Sequence, residues 1–359
     1  MAGRRGRVME ALGAAGVDGI LVTAPANVRY LTGFTGSNGW LLLAASGAAF
    51  LTDPRYAQQA AQEVAGIAVE VSAAGLPSMV GAVAGGLGLR RLAFEPQHVT
   101  VALKDKLDAV AEIEWAALDD EVVENQRRSK DSGEIEALRA ALALTEAALE
   151  EVVADIAPGH TETEVAAELE RACRRRGAEG MAFETIVASG PRSALPHGVA
   201  SARVIEAGEP VMIDMGCRLG GYCSDITRMV WVGGAPSPRW LQIHDIVDRA
   251  RGAALAALRA GVGADEVDAA ARQVIATAGY GEAFRHGTGH GVGLEIHEAP
   301  RLSARSTEAL QSGMVVTIEP AVYLEGEWGI RIEDLVRVTD TGSERLTTLS
   351  TDPILRKIS

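Results

Sequence analysis

The sequence predicts an α/β (α+β) chain in two parts: a smaller α/β domain over residues 1–125 and a larger domain over residues 126–359. The larger domain is expected to hold two pseudo-twofold helix-helix-hairpin halves. Three observations carry this reading. The chain has 359 residues, enough for about two domains at roughly 150 residues each. Its first third alternates helix-like and strand-like segments. The remainder runs twice through two amphipathic helices and a strand pair with an acidic residue on either strand.

In the first part, "GRVMEALGAAG" reads as a helix, "DGILVT", "GWLLLAAS" and "AAFLTD" as strands, and "RYAQQAAQEVA" as a further helix. A polar stretch, "ENQRRSKDSGE" (Glu124 to Glu134), separates this part from the rest. The helix that follows carries Ile135, Leu138, Leu142, Thr145, Leu149, Val152 and Ile156 at spacings of three and four, one stripe to bury. Asp131 with Glu134 can cap its start, and Thr161 with Glu164 forms a second capping box. Gly177 closes that second helix. A hairpin from Val211 to Val230 comes next. Ser237-Pro238 opens a third helix that stops at Gly261, and Asp265 to Ala278 makes a fourth. A second hairpin runs from Gly313 to Val338. Gly208, Val211, Ile213 and Asp214 recur at identical offsets as Gly313, Val316, Ile318 and Glu319. Gly221 precedes Asp225 by four residues, as Gly329 precedes Glu333.

Composition excludes several classes of function. With 47% hydrophobic residues the chain can bury a real core. It has no apolar run of about 18 residues, so no transmembrane helix is expected. The basic start is followed by Glu10 and Asp18, which interrupt what would be the apolar core of a signal peptide. Three cysteines, Cys173, Cys217 and Cys223, are an odd number without zinc-motif spacing. A reduced, cytoplasmic setting is therefore expected. A net charge of −14 argues against nucleic acid as a partner.

The chemistry lies in the two hairpins. In "VMIDMGCRLGGYCSDITRMV" a turn at Leu219-Gly220 places Asp214 opposite Asp225, and a turn at Gly220-Gly221 makes them diagonal neighbours on the same face. Like charges so placed are destabilising. A single such hairpin reads most simply as two solvated aspartates. Two matched hairpins bring four carboxylates, and buried ionised carboxylates are costly unless paired or bound to metal. Within the hairpins Arg331 can neutralise one of them. Two divalent cations would balance all four, and a neutral imidazole would complete the set. The segment "FRHGTGHGVGLEIHEAP" supplies His286, His290 and His297, three of the seven histidines in the chain. Its glycines at 287, 289, 291 and 293 exclude a comfortable helix, so His286 and His290 are not a helical zinc pair. They also allow the close backbone approach that fits a segment laid against a metal centre.

The order Asp214, Asp225, His290, Glu319, Glu333 resembles the dinuclear metallopeptidases of the pita-bread fold: methionine aminopeptidase, aminopeptidase P and prolidase. The resemblance covers the whole chain. "IVASGPRSALPHG" looks like the Xaa-Pro branch, and "NVRYLTGFTGSNGW" with "LTDPRY" is similar to the creatinase-like N-terminal domain of small bacterial aminopeptidases P and prolidases. Creatinase shares the fold without the metal ligands. The resemblance implies two divalent ions, manganese first, with cobalt, zinc or iron as options. Asp214 would chelate one ion, His290 and Glu319 the other, and Asp225 and Glu333 would bridge them. A hydroxide between two metals about 3.5–4 Å apart would attack the scissile carbonyl. Glu319 would act as general base, and His197 and His297 would stabilise the tetrahedral intermediate and bind substrate. His286 would be a further pocket histidine, and Arg331 would orient ligands.

The resemblance therefore implies release of an N-terminal residue ahead of proline, the reaction of an Xaa-Pro aminopeptidase. The alternative is an Xaa-Pro dipeptidase, which must bind the proline carboxylate, and Arg301 stands where prolidases can place such an arginine. Small peptides with an Xaa-Pro start are the expected partners, with neither nucleic acid nor membrane, and the family expectation is a homodimer. Tyr30, Phe34 and Trp40 are possible donors to a partner's cleft, with core packing or dimer interface as the plainer reading. A non-catalytic binding module and a di-metal phosphatase are the remaining classes. The first usually lacks metal ligands, and the second would need a basic cluster beyond Arg331.

Overall fold

A computed structural model of the protein describes residues 1–110, 112–118 and 121–356. The chain divides into two compact units, Met1–Arg127 and Arg128–Ser359. The first is built on a six-stranded sheet of β1 (Gly19–Val22), β2 (Gly39–Ala44), β3 (Gly47–Thr52), β4 (Ala68–Val71), β5 (Arg91–Phe94) and β6 (Glu114–Ala117), in the order β4-β3-β2-β1-β5-β6. β1 lies at its centre, parallel to β5 and antiparallel to β2, and all four of its residues are buried. Its unbroken run of apolar residues is what burial on both faces requires. Leu21 and Leu51 pack with Met79, Val80 and Leu107 from flanking helices. Tyr30 and Phe34 are buried in this unit, and Trp40 is half-buried against the same core.

The second unit carries four main helices, α1 (Ser132–Val153), α2 (Glu162–Arg175), α3 (Pro238–Ala257) and α4 (Ala264–Thr277). Both predicted capping boxes are present: Asp131 accepts from the Glu134 N–H, Thr161 accepts from the Glu164 N–H, and each glutamate returns the bond. The stripe of the first helix is buried from Ile135 to Val152. The third helix differs from its prediction: it ends at Ala257, and Leu258 is already extended. Gly261, with φ +84°, turns the connection that follows and does not end the helix itself.

Between the helix pairs run two principal sheets. One holds β7 (Ile186–Ser189), β8 (Glu209–Met215) and β9 (Ile226–Val232). The other includes β10 (Gly289–Gly291), β11 (Glu298–Leu302), β12 (Val315–Ile318) and β13 (Asp334–Val338). Alternate residues of β8 enter different cores. Val211, Ile213 and Met215 pack with α1 and α2, whereas Met212 joins a cluster with α3 and α4. Period-two alternation places Asp214 on the same face as Met212.

The structure decides the turn of the first hairpin. Leu219 pairs with Tyr222, so the turn is Gly220-Gly221, both with positive φ, as a type I′ hairpin requires. Asp214 then lies opposite Thr227, and Asp225 is its diagonal neighbour. In the second hairpin Ile318 pairs with Asp334, and one further step in this register sets Glu319 opposite Glu333. The same register resumes beyond Pro320 with Ala321 opposite Arg331. The two halves thus match in helix order and in acidic positions but differ by two residues in strand register.

Candidate metal centre

Asp214, Asp225, His290, Glu319, Glu333, His197, His286, His297, Arg301 and Arg331 all line one cleft of about 550 Å³ within the second unit. Each arrives by a different local route. Asp214 and Asp225 come from the first hairpin, Glu319 and Glu333 from the second, and His290 from β10 laid between β11 and β12. His290 sits on a strand, as the glycines around it demand. A Cβ at Gly289 would collide with the Thr317 carbonyl, so the strand can approach this closely only with glycine there.

The polar atoms converge. His290 Nε2 is 3.6 Å from Asp225 Oδ2 and 3.6 Å from Glu319 Oε1. Asp225, His290 and Glu333 each present a ligand atom within 4.8 Å of the others. His290 Nδ1 is 3.0 Å from the Gly291 carbonyl. A proton on Nδ1 would serve that bond and leave the Nε2 lone pair facing the carboxylates. Thr227 donates to Glu333 Oε2 at 2.7 Å, and Arg331 donates to Thr227 Oγ1 at 3.1 Å. Arg331 also donates to Asp214 Oδ2 and, at 2.7 Å, to the Tyr323 hydroxyl.

The electrostatics are dominated by repulsion among buried carboxylates. Among the described residues, Arg331 is the guanidinium that bonds to this carboxylate cluster, with Arg301 further along the cleft wall. Burial first, then repulsion from Glu333, Asp214 and Glu319, holds the Asp225 carboxyl well above its usual range. Burial and the charges of Asp214 and Glu319 do the same to Glu333. Burial raises Glu319 to about 7 and lowers His290 to about 4, so the imidazole is neutral at neutral pH. Asp214 Oδ1 is buried with no hydrogen-bond partner, an orphaned acceptor of a kind native proteins seldom leave. Divalent cations would remove the repulsion and satisfy that oxygen, so the donor set of carboxylates and one imidazole fits such ions.

The remaining predicted residues surround this centre. His297 packs edge-on against His290, with ring centroids 4.4 Å apart. His197 is exposed on the cleft wall. His286 Nε2 is 3.0 Å from the Tyr323 hydroxyl, and burial lowers the His286 pKa to about 4. Arg301 opens to the cleft, and its guanidinium has neither a hydrogen bond nor an ion pair among the described residues.

Sequence reasoning missed Thr227 and Tyr323. Thr227 stands two residues beyond Asp225 on the same face, a signal that period-two alternation could have supplied. Tyr323 meets His286 only through tertiary structure. Apolar cleft residues Phe183, Ile186 and Ile296 were also not singled out.

Comparison with known proteins identifies the family. Residues 136–340 match the model of metallopeptidase family M24, and residues 4–128 match the creatinase/prolidase N-terminal domain. An Xaa-Pro dipeptidase from Pyrococcus horikoshii is 37% identical over 341 residues, 95% of either chain. The fold superposes on an Xaa-Pro dipeptidase from Bacillus anthracis with a TM-score of 0.95 at 41% identity, covering 99% of both chains. It superposes on an X-Pro aminopeptidase from Thermotoga maritima with a TM-score of 0.92 at 40% identity, covering 98% of this chain and 99% of that one. The chain belongs to metallopeptidase family M24, with the pita-bread fold of that family and a creatinase/prolidase N-terminal domain ahead of it.

Proposed function

We propose that the protein is an Xaa-Pro dipeptidase that works with two divalent cations, manganese first and cobalt, zinc or iron after it. Asp214 would hold one cation, His290 and Glu319 the other, and Asp225 and Glu333 both. When bound, such ions lower the pKa of the attacking water and polarise the scissile carbonyl. The chain's own residues do the rest. Glu319, beside His290 and held by Thr317, accepts the proton of the attacking water and returns it to the proline nitrogen. His197 and His297 donate hydrogen bonds to the substrate oxygen that gains charge. Arg331 fixes Asp214, and through Tyr323 it also reaches His286.

The observation that supports a dipeptidase is Arg301. A guanidinium without a partner, on the wall of a cleft dominated by carboxylates, suits the free carboxylate of a C-terminal proline. The two relatives named as Xaa-Pro dipeptidases point the same way. The aminopeptidase P reading stays as the second, because the Thermotoga maritima protein carries that activity in its name at nearly equal identity. A homodimer, as the family resemblance implies, and a reducing cytoplasmic setting, consistent with three buried free cysteines, belong to the same proposal.

The test is a paired assay of Mn-loaded protein on an Ala-Pro dipeptide and an Xaa-Pro-Xaa tripeptide. Cleavage confined to the dipeptide, with KM raised at least about tenfold by Arg301→Ala for the lost charged contact, is the expected result. Efficient cleavage of the tripeptide, unaffected by that substitution, would return the protein to aminopeptidase P.

A further inference from the structure

We propose that Asp268 and Arg272, one turn apart on α4, are positioning residues that hold His290 and Glu319 in register for the cation placed between them. The inference rests on the dinuclear reading above and adds two residues from a helix that contributes nothing directly to the centre.

Asp268 is fully buried. Its Oδ1 accepts from the Thr288 N–H at 3.0 Å and the Thr288 hydroxyl at 2.8 Å. Arg272 donates to both of its oxygens at 2.9 Å. The same guanidinium donates to the carbonyls of Phe284 (2.9 Å) and His286 (2.8 Å) and lies 4.3 Å above the Phe284 ring. The pair thus grips three alternate residues, 284, 286 and 288, leading into His290. On the far side, the Thr288 carbonyl accepts the Glu319 N–H at 2.8 Å. One residue after the intervening Gly289, the His290 N–H donates to Thr317 Oγ1 at 3.0 Å, and that hydroxyl donates to Glu319 Oε1 at 3.3 Å. An unbroken hydrogen-bonded path therefore runs from α4 through Thr288 to Glu319.

The segment needs an external grip. Gly287 and Gly289 are there because neighbouring backbone leaves no room for a side chain, and glycine supplies no packing of its own. A buried ion pair is a poor way to add stability compared with apolar packing. It is a good way to fix orientation when every acceptor is engaged, and partners that orient ligands typically change metal affinity by about 10–100-fold.

The experiment measures Mn²⁺ binding to metal-free protein by titration calorimetry, alongside thermal melting, for wild type, Asp268→Asn, Thr288→Val and Thr288→Ser. The expected result is two binding events in the wild type, one of them weakened about 10–100-fold in Asp268→Asn and Thr288→Val. The other event should stay within about twofold, and Thr288→Ser should restore the first. Thr288→Val keeps the test open if Asp268→Asn fails to fold. Unchanged Mn²⁺ affinity with a lowered melting temperature would overturn the proposal by making the pair structural only. Equal weakening of both events would overturn it as well. A wild type that binds no Mn²⁺ would overturn the dinuclear reading, and this proposal with it.

Discussion

Glu333 and Asp334 are consecutive residues, both buried, and their surroundings are opposite. Asp334 Oδ1 accepts from Arg228 at 2.8 Å and Oδ2 from Arg251 at 2.6 Å. Arg228 also donates to the carbonyls of Thr227, Glu333, Leu349 and Ser350, so all its N–H groups are engaged. One position back and on the other face, Glu333 meets Thr227 and three further carboxylates, with Arg331 the guanidinium that moderates them. On one face the chain builds the cations that its buried carboxylate requires. On the other it builds the carboxylates and leaves most of the neutralising charge to come from outside. Neighbouring strand residues point to opposite faces, so a single dipeptide serves both as a structural anchor and as part of a candidate cation site.

The contrast can be broken from either side. The largest effect is expected for Asp225→Ala or Glu333→Ala, which should lower activity about a thousandfold or more, the several kcal/mol a bound metal contributes. Metal content of the purified variants should fall with it, and full activity in both would remove them from the site. Next comes Asp334→Ala, which removes the carboxylate that the buried Arg228 pairs with and leaves Arg251 with Asp248 alone. Chemical denaturation should show a loss of about 3–5 kcal/mol that added Mn²⁺ does not repair. A loss below about 1 kcal/mol, the range of exposed pairs, would make the anchor superficial. The smallest effect sharpens the comparison. Chelation should lower wild-type stability by about 2.7 kcal/mol from its value at Mn²⁺ a hundredfold above Kd. Glu333→Gln should abolish that dependence and, by relieving repulsion, leave the metal-free protein at least as stable as wild type. Equal sensitivity to chelator in wild type and Glu333→Gln would separate Glu333 from the cations.

What the sequence alone determined was local or repeated. The capping boxes at Asp131 and Thr161 depend on residues three apart, and the stripe of the first main helix on spacings of three and four. The acidic positions of the hairpins stood out because they recur with their glycines. The His-Gly segment stood out because its composition permits few conformations. Tertiary structure decided the rest, because the deciding contacts join residues far apart in the chain. The first hairpin could turn at two places, and the pairing of Leu219 with Tyr222 sets the turn at Gly220-Gly221. The polar stretch at 124–134 reads as a separator, yet Ser129 bridges to Met314 and Lys130 forms a buried ion pair with Glu298. Tyr323 and Asp268 carry no local signal, and they meet the His-Gly segment only once the second half of the domain has folded. Hydrogen-bond patterns within one turn of helix are written in adjacent residues. Which buried charge meets which is settled only when strands and helices from distant parts of the chain exclude water together.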